Sequence, residues 1–560
     1  MLNFLNFKKL KKLKIFQPLQ ISFVHTWFTF HKLNKLVKQK ANSNVLNGFQ
    51  PIEGNFLYVP ASCLPYHISG YTTRTHEILK AISKAIEEKS TKDTTKENKV
   101  LENVEKPTNY TNTNSFEASA PKLFVLTRTG YPWDRKDALS YPEDNKDYNV
   151  LDGIRYDHIR TPKNSKLTAI YAEEASLEIE KYIVKNSISC VHAASNHVNA
   201  LPALIAAKRL GIPFQYEMRG LWELTRISRQ PEFAKSHNFK LGLDLEAFVA
   251  KHADRVFVIS EQLSKYIQRN WGIPKEKINL LPNCADTDRI KPDFSSSNVS
   301  TVNPEGNEQS SNNKDKNKNN ILNDSFLGIN IDKDNKQELV TSNNYSSNST
   351  SNSTSNSATN LSSHLASETI VIGYAGSLIV YEGLQTLLKA MNVLVFQKKM
   401  NVHLNVIGDG EYRKTLEELA LSLNLSDHVT FFGRLSPIEA KNKQDECALI
   451  CIPREPFDVC KVIPPIKLVE AMAKGKCVVV PDLPVFKDEL SYLENTQESP
   501  SGCIFFKSGD FNDLASVLEK IIFLSNTNEL KKNGDRARQY VVDNRQWKYF
   551  ATTICPIFNK

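Results

Sequence analysis

The sequence predicts an α/β protein built from two Rossmann-like, parallel-sheet domains. Three observations carry this prediction. Short β-branched runs alternate with stretches of helical periodicity. The alternation occurs on both sides of a long Asn- and Ser-rich tract. The chain has 560 residues, 40% of them hydrophobic, which exceeds one ordinary domain and suffices for two cores.

In chain order, residues 1–50 read as a basic N-terminal arm. Residues 1–40 hold nine lysines and no Asp or Glu, leaving 62 basic and 62 acidic side chains in the rest. The formal net charge of +9 therefore sits in the arm, and the neutral remainder excludes a nucleic-acid-binding body. Lys8 to Lys14 precede Ile15, Phe16, Phe23, Val24, Trp27, Phe28 and Phe30, a mixture of cations and apolar rings suited to an anionic membrane surface. Gln17, Pro18, Gln20 and His25 interrupt this stretch too closely for a span, and no small-residue cleavage site follows. The expectation is a cytoplasmic protein, with peripheral contact at the inner face of the plasma membrane. Nine scattered cysteines fit core thiols of a reducing compartment. The Cys447 and Cys451 pair lies in an apolar, strand-like run and matches no common zinc spacing, so no metal site is expected.

Residues 51–292 form the expected N-terminal domain, with strands at Phe56–Val59, Leu123–Thr127, Ile188–His192, Phe214–Glu217, Arg255–Ile259 and Ile278–Leu281. Residues 369–538 form the C-terminal domain, with strands at Ile370–Ala375, Val402–Ile407, Val429–Phe432, Ala448–Ile452, Cys477–Val480 and Cys503–Phe506. Ile78, Ile82 and Ile86, and likewise Leu384, Leu387, Leu388 and Met391, recur at helical spacing. Two polar tracts, 87–120 and 293–368, lack the apolar content for a core and read as disordered insertions. Residues 539–560 are expected to form a helix returning to the N-terminal domain. Ligands of parallel sheets lie beyond the carboxyl ends of the strands, so functional residues should follow the strands just named.

The most informative motif is Pro464-Pro465-Ile466-Lys467-Leu468-Val469-Glu470-Ala471-Met472-Ala473. Proline is favoured in a first helical turn. The helix follows a strand and its loop, so its positive end, with free N–H groups, faces the ligand crevice and suits a diphosphate. Pro465 and Ile466 would border that diphosphate. Glu470, in the helix's second turn, is placed to accept hydrogen bonds from ribose hydroxyls.

Other motifs follow in a fixed order: Ala-Asp-Arg-Val-Phe-Val-Ile-Ser at 253–260, Leu-Pro-Asn-Cys-Ala-Asp at 281–286, Gly-Tyr-Ala-Gly-Ser-Leu at 373–378 and Val-Ile-Gly-Asp-Gly at 406–410. With the Pro464 helix, the set resembles the group 1, family 4 glycosyltransferases of the GT-B fold. Ser69-Gly70-Tyr71-Thr72-Thr73-Arg74, Arg128 to Trp133 and Tyr216 to Trp222 are similar to a bacterial surface-polysaccharide branch of that family. The resemblance covers residues 55–86, 121–292 and 369–550. It implies two Rossmann-like domains facing each other across a cleft, acceptor on the N-terminal side and donor on the C-terminal side. It implies retaining transfer from a nucleotide-sugar donor to a saccharide or polyprenyl-linked acceptor, with no cofactor and no obligatory metal. In the mechanism usually proposed, the leaving diphosphate itself takes the acceptor's proton.

By the same resemblance, Gly70, Gly376, Ser377, Gly408, Gly410 and Arg434 join Pro465, Ile466 and Glu470 at the donor, Arg434 beside the base. The chain also departs from the family. The first of its two usual glutamates is Val462, and its usual Arg and Lys after the first donor-domain strand are Ser377 and Glu382. Compensating cations are expected at Arg454 and Lys467, ahead of Lys461. Glu217 and Arg219 stand where relatives often place a His, and read either as acceptor contacts or as a structural ion pair. His192 and His197 follow a strand end and read mainly as structural. Two other activities fit the same architecture: a sugar-nucleotide epimerase, and a degenerate nucleotide-sugar-binding module.

Overall fold

The computed structural model describes residues 18–101, 121–291, 369–491, 499–524 and 528–555, apart from residues 137, 139 and 143–145. All twelve expected strands are present and form two six-stranded sheets. The N-terminal sheet has the order β2-β1-β5-β6-β7-β8, with β1 Phe56–Val59, β2 Leu123–Val125, β5 Cys190–Ala194, β6 Phe214–Met218, β7 Arg255–Val258 and β8 Ile278–Leu280. The C-terminal sheet has the order β11-β10-β9-β12-β13-β14, with β9 Ile370–Ala375, β10 Val402–Ile407, β11 Val429–Gly433, β12 Leu449–Cys451, β13 Cys477–Pro481 and β14 Ile504–Phe506. Every pairing within these two sheets is parallel. β1, β5, β6 and β13 are buried at every position, as strands covered by helices on both faces must be. A two-stranded antiparallel hairpin, β3 Tyr148–Leu151 and β4 Ile154–Asp157, was not foreseen. It turns through Asp152 and Gly153, both at positive φ.

Two expectations about the polar segments are corrected. Residues 18–48 are not a detached arm: helices run over Pro18–Lys38 and Ser43–Gly48. Leu33, Leu36 and Ala41 are buried in the apolar cluster that contains Ala200, Leu204 and Ile179. Thr26 bonds to His237, and Lys32 pairs with Glu173. The opposite face leaves Val24 and Trp27 open, the latter 55% exposed and stacked on His31. The second correction concerns residues 87–101. They continue the helix Gly70–Leu101 instead of opening an insertion, because Lys and Glu favour helix even without an apolar stripe. The Lys8–Lys14 run, residues 102–120 and the tract 293–368 lie outside the described residues. No helix among the described residues is long and apolar enough to cross a membrane.

The chain end ties the halves together. The helix Glu529–Asn544 spans the expected 538/539 boundary. Its Arg538 donates to the carbonyls of Ile290 and Thr287, at 2.7 and 3.0 Å. The helix Trp547–Ile554 then packs on the helix Gly70–Leu101, burying Trp547, Ala551 and Ile554 with Ile78, Leu79 and Ile82. A single apolar cluster runs through both halves, from Leu263 and Ile267 to Val485 and Phe486.

Burial of Leu33 makes the N-terminal helix part of the folded body. Leu33→Ala is expected to lower stability by about 2–5 kcal/mol, the cost of a buried Leu truncation, while Lys35→Ala stays within about 0.5 kcal/mol. Urea unfolding of the two variants checks this, and equal midpoints would return the helix to the status of a dispensable arm.

Candidate functional site

The site is built on the loop between β12 and the helix Ile466–Ala473. Three consecutive carbonyls of this loop are each held by a side-chain donor. Ser260 Oγ donates to Val462 O at 2.5 Å, Arg454 Nη1 to Ile463 O at 2.8 Å, and Asn283 Nδ2 to Pro464 O at 3.1 Å. Two of these donors come from the N-terminal half. With its carbonyls drawn back, the chain enters the helix at Pro465, whose side chain offers no cap. The N–H groups of Ile466 and Lys467 then lack intrahelical acceptors, which is the arrangement that attracts an anion. Gly70 lies directly opposite: a Cβ there would come within 3.1 Å of Ile466 Cγ2. An added Cβ at position 70 would oblige the Ile466 side chain to give by a few tenths of an ångström.

Beside the helix start lies a buried ion cluster. Glu382 Oε1 accepts from Arg454 Nη2 at 2.7 Å, and Glu382 Oε2 accepts from Lys467 Nζ at 2.8 Å and Arg454 Nε at 3.3 Å. Lys467 Nζ also donates to Tyr374 Oη at 2.7 Å, and Tyr374 Oη in turn donates to Ser377 O at 2.8 Å. Burial pushes the Glu382 carboxyl up, but Arg454 and Lys467 outweigh it and hold the group at about 2. Burial pulls the Lys467 ammonium below its ordinary value despite Glu382. Arg454 is as buried as the carboxylate it serves, and its fork is committed to Glu382 and to Ile463 O. The sequence placed Arg454 and Lys467 together as phosphate ligands. The structure brings them together but gives them different positions: Arg454 holds the loop, and Lys467, 16% exposed, stands at its mouth.

Gly376 is needed for that placement, since at φ +151° an added Cβ would meet Lys467 Nζ at 2.4 Å. Gly408 and Gly410 answer a different need. A Cβ on Gly408 would lie 1.9 Å from Gly376 O, and one on Gly410 2.2 Å from Leu378 O. These glycines let neighbouring strand-end loops interlock. Ser377 and Arg434 are exposed at the same carboxyl edge. Glu470 is half-buried, accepts no hydrogen bond among the described residues, and its carboxyl is pushed up by burial.

Glu217 and Arg219, expected at the acceptor, are interior. Glu217 is 1% exposed and accepts from Arg74 Nη2 at 2.9 Å, Arg219 Nε at 2.9 Å and Tyr58 Oη at 2.6 Å. Arg219 further donates to Thr75 Oγ1 and to Tyr71 O. The pair reads as a structural ion pair, because both side chains are buried and their hydrogen-bonding groups are engaged within the N-terminal half. His192 belongs to the same network, stacked on Tyr58 and facing Glu217. His197 binds Glu246 at the start of its helix. Arg74 also donates to Leu281 O, Pro282 O and Asn283 Oδ1, so the network reaches the residue that holds Pro464. The sequence reading missed Tyr374, Ser260 and Asn283 as site builders. All three lie inside motifs already singled out, Ser260 at the end of 253–260, Asn283 within 281–286 and Tyr374 within 373–378, but as members of a pattern without a role of their own.

Residues 359–540 match the family described as glycosyl transferases group 1, and residues 123–284 match the glycosyl transferase 4-like domain. Together the two matches cover more than half of the chain. The chain belongs to the group 1 glycosyltransferases. No curated protein matches it. Among solved structures, sucrose-phosphate synthase from Thermosynechococcus elongatus is 13% identical with a TM-score of 0.57, over 90% of this chain and 98% of that one. Anabaena HepE, solved with UDP and glucose, is 13% identical with a TM-score of 0.52, over 91% and 100%. WaaG, a glycosyltransferase involved in lipopolysaccharide biosynthesis, is 12% identical with a TM-score of 0.50, over 90% and 99%. At these identities the likeness establishes the GT-B fold, in keeping with the two parallel six-stranded sheets.

The buried Glu217 network of the N-terminal half yields a stability prediction. Glu217→Gln leaves Arg74 and Arg219 buried without their anion and is expected to cost about 3–5 kcal/mol at pH 7. Burial pushes the Glu217 carboxyl up, but Arg219 and Arg74 hold it well below its ordinary 4.5. Its contribution is therefore present above pH 4.5 and lost as pH falls through the depressed folded value. Unfolding of native and variant protein at pH 7 and at pH 3 should show the difference shrinking at the lower pH. A gap of constant size would mean that Glu217 is not charged in the fold.

Proposed function

We propose that this protein is a retaining glycosyltransferase that moves a sugar from a nucleotide-sugar donor to a saccharide or polyprenyl-linked saccharide, in surface-polysaccharide assembly at the cytoplasmic face of the membrane. The observation that carries the reading is the uncapped start of the helix Ile466–Ala473, with Lys467 at its mouth and Gly70 opposite. Free N–H groups, a helix dipole and an ammonium converge there, and together they suit a diphosphate leaving group. The ligands named for HepE support a uridine nucleotide, and the role named for WaaG supports the polysaccharide assignment. The open Val24–Trp27 face of the N-terminal helix, following a lysine run, supports contact with an anionic membrane.

In the proposed reaction the acceptor hydroxyl approaches on the face that the diphosphate leaves. As the sugar–oxygen bond breaks, negative charge grows on the diphosphate. The Lys467 ammonium and the N–H groups of Ile466 and Lys467 stabilise it more in the transition state than in the ground state. The departing diphosphate takes the acceptor proton, so the step needs neither a protein base nor a metal. Glu470, whose carboxylate oxygens accept no hydrogen bond among the described residues, receives the ribose hydroxyls.

Glu470→Gln should weaken UDP binding by about 1–3 kcal/mol, as expected for loss of a charged hydrogen-bond acceptor. Calorimetric titration of the folded variant with UDP checks this, and unchanged affinity would remove Glu470 from the site. Incubation with UDP-glucose and no acceptor is the companion measurement. Appearance of an epimer would replace transfer by isomerisation.

A further inference from the structure

Lys467 carries three N–H donors. Two are taken, by Tyr374 Oη and Glu382 Oε2. The third is left on the side where Gly376 has no side chain. The partner that fixes this arrangement is unusual for a site meant to receive an anion, because Glu382 is itself an anion. It occupies the position at which the resembling family carries a lysine. Its backbone is held close to the cation loop: Gly383, at φ +77°, would place a Cβ 1.7 Å from Pro453 O, so this turn lies directly on the chain leading to Arg454. Glu382 is 3% exposed, and Arg454 anchors its other oxygen. A carboxylate so held cannot swing to solvent, and neither can the ammonium bound to it.

We propose that Glu382 is a positioning residue that aims the free N–H of Lys467 at the donor diphosphate, and that the pair carries out, with exchanged signs, the task of a lysine at position 382. The proposal rests on the donor site described above. Glu382 repels the diphosphate at longer range, so it costs some ground-state attraction. In return, one N–H direction of Lys467 is fixed before the ligand arrives, and the orientational entropy is not lost on binding.

A double-mutant cycle on UDP affinity tests this, with inorganic pyrophosphate as a second titrant that lacks base and ribose. In the native background, Lys467→Met should weaken both titrants by roughly tenfold or more, the scale of a lost charge-assisted bond. In the Glu382→Gln background, the same change should cost less than about threefold, because Lys467 is no longer aimed. The exchanged pair, Glu382→Lys with Lys467→Glu, should keep UDP affinity within about tenfold of native, whereas Lys467→Glu alone should lose binding. An equal cost of Lys467→Met in both backgrounds would overturn the positioning role, and so would an exchanged pair that folds but does not bind. A native protein that binds neither UDP nor pyrophosphate would instead overturn the donor site itself, and the proposal with it. Thermal midpoints of all variants separate loss of fold from loss of binding.

Discussion

The carbonyls of Val462, Ile463 and Pro464 fix where the helix Ile466–Ala473 begins, and the rest of the proposed donor site depends on that point. An ordinary loop would leave these oxygens to water, and they would present negative charge to an incoming diphosphate. Here Ser260, Arg454 and Asn283 take one each. The two donors from the N-terminal half make the donor site a property of the closed pair of halves, not of the C-terminal half alone. Gly70 against Ile466 and the bidentate pair of Arg229 with Glu411 join the same halves at other points. Separation of the halves would release Val462 O and Pro464 O together, so domain opening and loss of anion affinity are linked by geometry.

Two ion clusters flank this loop, and they share a stoichiometry. Each puts one buried carboxylate between two cations: Glu217 between Arg74 and Arg219, and Glu382 between Arg454 and Lys467. Each therefore sets two cations against the one carboxylate that they bind directly. One cluster reaches Pro464 O through Asn283, and the other reaches Ile463 O directly. Buried ion clusters are weak evidence for stability, since desolvation opposes them. Their placement around one loop, with the same sign of surplus, is what a site for a dianionic group requires.

The fold was legible in the sequence because its strands are short apolar runs bounded by turn residues, and a strand buried on both faces has no other pattern. The missed hairpin is instructive, since Asp152-Gly153 between Tyr148 and Tyr156 is a turn signal of the kind that marks hairpins. The helix Gly70–Leu101 was cut short because composition was read for core formation, when Lys and Glu decide helix propensity independently of burial. The N-terminal helix hid its role for a related reason. Only Leu33 and Leu36 of its last turns are deeply buried, too few apolar positions to stand out beside nine lysines.

The site was legible as a set of residue types and not as a set of pairs. Glu382 and Lys467 are 85 residues apart in sequence, and Arg74 and Glu217 are 143 apart. No local pattern reports such a contact. The sequence showed that a lysine was missing at position 382 and that a lysine stood at 467, where the helix dipole disfavours it. Those two anomalies have one explanation in three dimensions. A cation in the first turn is unfavourable only without a counter-charge, and a buried carboxylate is unfavourable only without cations. Glu382 and Lys467 resolve each other's cost, with Arg454 closing the cluster. The positive charge at the helix mouth is thus supplied from position 467 and held there by the carboxylate at position 382.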